Sequence, residues 1–196
     1  CLSNFTFQRG ASHPEELVAQ AHELGYAALA ITDECSLAGV VRAHVEAKKC
    51  ALPLIIGSEF RLDDGLRFVL LATDRASYGN LSQLITRGRR NATKGSYKLC
   101  RDDVAVFADG LLALWVPPEI SPRKRDAPDA DALTTAHWIA ATFPGRAWIA
   151  VELFARAGDR ARLARCAELA QASGLSQVAA GDVHMHVRAR RALQDT

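Results

Sequence analysis

With 196 residues, 49% of them apolar and 23% charged, the chain has the profile of one globular domain that buries roughly 70% of its unfolded surface. That composition excludes disorder, a collagen-like repeat and a small cysteine scaffold. Lys plus Arg number 24 against 22 for Asp plus Glu; the net charge of +2 is too even to argue for nucleic acid or membrane, and no run reaches the roughly 20 apolar residues of a membrane-spanning helix.

In chain order, Ser12-His13-Pro14-Glu15-Glu16 predicts a helix start, with a capping Ser and acids in the first turn. Leu17, Val18, Ala21 and Leu24 form its apolar face, and Gly25 stops it. Short apolar runs follow at 27–31, 54–56, 68–72, 111–115, 148–151 and 178–180. They are continuous rather than alternating, as in strands covered on both faces. Helix-like segments lie at 37–49, 78–90, 130–142 and 159–172, the last stopped by Gly174. Repeated strand and helix predicts right-handed βαβ units and a parallel sheet, closed or open. Residues 117–129, with Pro117-Pro118 and the basic Pro122-Arg123-Lys124-Arg125, read as the one irregular connector in a single domain. Trp115, Trp138 and Trp148 are expected in the core.

Five scattered cysteines (Cys1, Cys35, Cys50, Cys100, Cys166) with no Cys-x-x-Cys pair read as reduced thiols of a cytoplasmic protein. Cys35 reads as a packing thiol, because no histidine is placed to activate it. The chain opens on Cys1 without Met or a leader, and it ends at Gln194-Asp195-Thr196 within a helical stretch, so a trimmed piece of a longer protein is expected. Arg87-Gly88-Arg89-Arg90 and the 122–125 cluster suit either phosphates or an ordinary solvated surface.

In parallel α/β folds the site lies at the carboxyl ends of the strands. The residues there are Thr32-Asp33-Glu34, Gly57-Ser58-Glu59 and Gly181-Asp182-Val183-His184-Met185-His186. Such carboxylates and imidazoles could hold a cation. Each also has a plainer reading: Asp33 as a helix cap, Glu59 as a buried ion-pair partner. His184-x-His186 is the sharper signal, since strand spacing puts both rings on one face.

Those phrases, with the opening Cys1-Leu2-Ser3-Asn4-Phe5-Thr6-Phe7-Gln8-Arg9-Gly10, closely resemble the polymerase-and-histidinol-phosphatase (PHP) domain of error-prone, C-family bacterial DNA polymerases, along essentially the whole chain. The resemblance implies a TIM-like irregular (β/α)7 barrel. It also implies a parent polymerase that copies damaged templates during DNA repair, with DNA and the rest of the polymerase chain as partners and no membrane. Its palm, fingers and thumb would follow residue 196, and the palm would supply the Mg²⁺ and the nucleotidyl transfer.

Active PHP domains hold up to three metal ions on about nine His, Asp and Glu ligands. By resemblance, few of those positions keep a ligand here. The second histidine of the opening pair is Leu2, an acid is Arg9, the histidine opening the third strand is Arg67, and another ligand falls near Pro117. Glu34, Glu59, Asp182 and His184 are the remnant positions. Arginine offers only N–H donors and a fixed charge. The expectation is therefore that Arg9 and Arg67 replace metal as cations among the carboxylates, with no cofactor in this domain and a silent scaffold as its role. The alternative is one zinc or manganese ion on the four remnant residues, serving a phosphoesterase or 3′–5′ exonuclease.

Overall fold

In a computed structural model of the chain, which describes residues 1–118 and 130–194, six strands form one curled sheet in the order β1 to β6. They are β1 (Leu29–Ile31), β2 (Leu54–Arg61), β3 (Arg67–Ala72), β4 (Leu111–Val116), β5 (Ala147–Glu152) and β6 (Ser176–Ala180). The helices are α1 (Pro14–Glu23), α2 (Val40–Cys50), α3 (Arg75–Arg90), α4 (Arg101–Val106), α5 (Ala130–Thr142), α6 (Asp159–Ser173) and α7 (Arg191–Gln194). No helix among the described residues is long and apolar enough to cross a membrane.

The fully parallel sheet expected from the alternation is corrected. β3 runs antiparallel to both β2 and β4, while the other pairs are parallel. Only residues 62–66 join β2 to β3, and Leu62 N donates to Leu66 O, which closes a hairpin. A parallel return needs a crossover of a dozen residues or more, so this link cannot provide one. The reversal brings the first residue of β3, Arg67, to the end of the sheet where β1, β2, β5 and β6 finish.

Beyond β1 the sheet is continued by the opening residues. Cys1 N donates to Ala30 O, Thr32 N to Cys1 O, and Leu2 N to Val183 O, so this segment bridges β1 and the chain after β6. The main core lies between the sheet and helices α3 to α6 and includes Phe60, Phe68, Leu81, Trp115, Ile139 and Phe143, all under 3% exposed. A smaller core joins α1 and α2 to β1 through Leu17, Val18, Ile31 and Ala43. Leu24, expected on the buried face of α1, is the C-cap and is exposed instead. Of the three tryptophans only Trp115 is fully buried; Trp138 and Trp148 are half-buried.

The Pro122–Arg125 cluster and the last two residues lie outside the described residues. In the other basic cluster, Arg87 lies 3.5 Å from Asp103, and Arg89 donates to Cys35 O at 3.0 Å while its guanidinium lies over Tyr97. Both side chains are therefore committed to the chain itself. Burial pushes the Cys35 thiol up to about 11, in keeping with a packing thiol.

Candidate functional site

The site forms where strand ends meet the loop at residues 3–12. Glu59 is on β2 opposite Val69, so Arg67 is its diagonal neighbour on the same face of the hairpin. Glu152 ends β5 opposite Ala180, and Asp182 follows two residues later on the same side. Asp182 adopts φ +40°, a left-handed conformation that Asp tolerates better than most residues.

Two guanidinium groups sit among these acids. Arg9 Nη1 donates to Glu59 Oε1 at 2.6 Å and to Glu34 Oε2 at 2.9 Å. Arg67 Nη2 donates to Glu59 Oε2 at 2.8 Å and to Asp182 Oδ2 at 2.9 Å. Glu59, 4% exposed in its side chain, thus holds both arginines. Burial opposes the charge of each guanidinium, but bonds to Glu59 outweigh it and raise both arginines above their ordinary value.

His184 lies between Asp182 and Gln194. The Gln194 amide lies 2.7 Å from its Nδ1, and the His184 Nε2 lies 3.1 Å from Asp182 Oδ1 as a close charge contact. His186 does not join it. Its Nδ1 lies 2.7 Å from Ser12 Oγ and 3.8 Å from Glu16, tying the chain after β6 to α1. Asp33 is neither a site carboxylate nor a helix cap: α2 is capped by Gly39, and Asp33 accepts from Ser3 N, Ser3 Oγ and Thr6 Oγ1, each at 2.7 Å. It fastens the loop that carries Arg9. The structure therefore gathers Arg9, Arg67, Glu34, Glu59, Asp182 and His184, and leaves out Asp33 and His186.

Sequence reasoning missed Glu152 and Tyr97. Glu152 is 5% exposed and lies 3.5 Å from Arg67 Nη1. It follows an apolar run directly, so the strand-end rule that found Glu59 reaches it too. Tyr97 donates to Glu34 Oε1 at 2.8 Å from a segment with no periodic pattern, and nothing in the sequence marks it.

The six site residues leave little for a metal ion to bind. Arginine protons are hydrogen-bonded to one oxygen of Glu34, both of Glu59 and one of Asp182, and a dication beside two fixed cations is repelled. Among the described residues no three His, Cys, Asp or Glu side chains are placed to hold an ion.

Asp182 sets an acid sensitivity. Burial works against its charge, but His184 and Arg67 outweigh burial and hold the carboxyl well below the usual carboxylate range. A lowered pKa adds stability that is complete above the unfolded value and is lost as pH falls. Glu152 opposes this in part, since burial raises its pKa against the pull of Arg67. Urea midpoints are therefore expected to drop as pH falls below about 5, where an unfolded Asp begins to take up its proton. Asp182→Asn should start lower and show a flatter profile; an unchanged slope contradicts this role.

A family model described as PHP domain matches residues 1–151. Proteins named error-prone DNA polymerase are similar over the whole chain, at 56% identity in Methylococcus capsulatus, 57% in Aromatoleum aromaticum and 53% in Pseudomonas aeruginosa. The chain spans 18% of the length of each of these relatives. Among solved structures, a candidate metal-dependent phosphoesterase from Bifidobacterium adolescentis superposes with TM-score 0.63 at 15% identity, over 94% of this chain and 86% of that one. An amidohydrolase from Chromobacterium violaceum, solved with sulfate and no metal, gives TM-score 0.64 at 16% identity over the same shares. At such identities the likeness shows the fold.

Proposed function

This chain belongs to the PHP domain family, and from that premise we propose that it is the PHP domain of an error-prone DNA polymerase and acts there as a scaffold without hydrolytic activity. The observation that carries the reading is the pair of guanidinium groups hydrogen-bonded to Glu34, Glu59 and Asp182. Cleavage of a phosphoester by a metal pair needs ions about 3.5–4 Å apart to clamp the attacking and leaving oxygens. Here the oxygens that would hold such ions accept arginine protons instead. The residues do not fit a metal ion.

In this reading the synthesis of DNA across damaged template, with its Mg²⁺, belongs to the palm, fingers and thumb of a longer cytoplasmic polymerase. The full length of the relatives supports a longer parent. The role of residues 1–196 is to hold a barrel together through charge pairs inside the chain, with no bound ion required.

The test adds manganese or zinc to the purified chain and follows both melting temperature and cleavage of a single-stranded oligonucleotide from its 3′ end. No metal-dependent rise in melting temperature and no cleavage are expected. Metal-dependent cleavage abolished by Asp182→Ala would overturn the scaffold reading in favour of a phosphoesterase or exonuclease.

A further inference from the structure

Two of the cup residues, Asp182 and His184, belong to a stretch after β6 that has little apolar packing to hold it. No residue from 181 to 194 is buried, and neither the 3₁₀ turn Arg188–Arg190 nor α7 adds a side chain to either core. Polar contacts fasten it instead. Val183 O accepts from Leu2 N at 2.9 Å, and His184 O accepts from Ala11 N at 2.8 Å. His186 N donates to Ser12 Oγ at 2.9 Å, and the Arg190 guanidinium pairs with Glu16 on α1. Segments with few buried apolar contacts open at lower free energy than the core beneath them.

The β5–β6 ladder ends at the Glu152–Ala180 pair, so a bend at the exposed Gly181 breaks no strand pairing. Asp182 is bound across the cup to Arg67 at 2.9 Å. Its other close neighbour, His184 at 3.1 Å, lies on the same stretch, as does Gln194, 2.7 Å from the His184 ring. In place, the stretch completes a set of four acids, Glu34, Glu59, Glu152 and Asp182, beside Arg9, Arg67 and Arg162. Moved out, it takes Asp182 and His184 with it and leaves three carboxylates beside three guanidinium groups. No buried acid is then stranded without a cation, the cost that would otherwise keep such a segment shut. The loop bearing Arg9 does not follow, because Ser3 and Thr6 remain bonded to Asp33.

We propose that residues 182–194 form a strap that opens and closes the cup as one unit, hinged at Gly181 and clasped by Arg190 on Glu16. Opening withdraws Asp182 from Arg67 and releases the Leu2 and Ala11 amides, while the sheet and the Arg9–Glu59 pair stay formed. The entrance to the cup is thus a cooperative unit separate from the barrel. The inference goes beyond the scaffold reading but uses its arginine pairs, which keep the cup balanced when the strap is out.

Native-state hydrogen exchange of the purified chain tests it. The Leu2, Ala11 and His186 amides should share one opening free energy, well below that of the amides of β3 and β4. Arg190→Ala, which removes the clasp, should speed all three by the same factor, roughly tenfold. The Ser3 and Glu34 amides, bonded to Asp33 and Thr6, should keep their rates. Arg42→Ala, which breaks the pair with Glu15 on the same helix α1, should leave all of them unchanged. Unequal factors for the three amides, equally faster exchange at Ser3 and Glu34, or exchange of all three only together with the sheet would overturn the strap. Each of those results leaves the arginine pairs of Glu59 standing, whereas metal binding in the cup overturns the scaffold reading.

Discussion

Arg67→Ala is expected to lower the unfolding free energy by about 3–5 kcal/mol, the cost of breaking a buried ion pair from one side. One Nη2 group bridges Glu59 and Asp182, and Nη1 approaches Glu152. Truncation leaves three carboxylates, 4%, 14% and 6% exposed in their side chains, with Arg9 remaining beside Glu59 and Asp182 and Arg162 3.7 Å from Glu152. Burying unpaired charge is expensive, and alanine also removes the packing of the arginine stem. Urea denaturation of both proteins measures the effect, read as a lower midpoint at unchanged slope. Arg67→Lys should recover only part of the loss, because a compact ammonium cannot reproduce a fork that spans acids on β2, β5 and the chain after β6. A loss below about 1 kcal/mol in the alanine variant, the range of an exposed pair, would mean that the network holds little of the fold.

Asp33→Ala should cost about 3 kcal/mol or more, because Ser3 N, Ser3 Oγ and Thr6 Oγ1 would lose their acceptor inside the protein. The effect extends to the site. Thr6 Oγ1, besides donating to Asp33, accepts from Glu34 N, and Gly10 packs so tightly on this loop that an added Cβ would lie 1.9 Å from Ser3 O. Freeing Ser3 and Thr6 therefore loosens the span that carries Arg9 to Glu34 and Glu59. Limited proteolysis after Phe7 and Arg9 should become faster in the variant, and its urea midpoint should fall. Unchanged cleavage and a loss below about 1 kcal/mol would show that the loop is held by other contacts.

How much of this was legible in the sequence depends on the range of each interaction. The continuous apolar runs marked β1 to β6, although β6 is mostly exposed where β5 is buried along most of its length, and the residues just after them led to Glu59 and Asp182. The same rule applied once more leads to Glu152. The direction of β3 was hidden in a short link: Asp63-Asp64-Gly65 is turn chemistry, and counting five residues between Arg61 and Arg67 excludes a crossover helix. Asp33 misled because an acid after a strand suits a cap, a ligand or a loop anchor equally; its partners lie some 30 residues away, at Ser3 and Thr6. Tyr97 meets Glu34 across 63 residues from an irregular segment, and only tertiary structure brings them together. That Arg9 and Arg67 were drawn into one cluster came from the resemblance to a family; no local pattern around either residue points to the other.

Charge compensation also shapes the cluster, in which Arg162 adds a third cation 3.7 Å from Glu152. Four acids, Glu34, Glu59, Glu152 and Asp182, face Arg9 and Arg67 in a partly buried cup. Acids in such a place need cations, and here the chain carries them on its own side chains. A scaffold built this way keeps its charge compensation at any metal concentration. Within the cluster Glu152, whose pKa burial raises, takes up a proton before Asp182, whose carboxyl His184 and Arg67 hold well below the usual range.

The most direct measurement is anomalous diffraction from crystals of the chain grown with zinc and manganese, collected at the absorption edge of each metal. No anomalous peak is expected within the cup, with clear density for the Arg9 and Arg67 guanidinium groups against Glu59. A peak bounded by Glu34, Glu59, Asp182 and His184, with either arginine turned out to solvent, would contradict it.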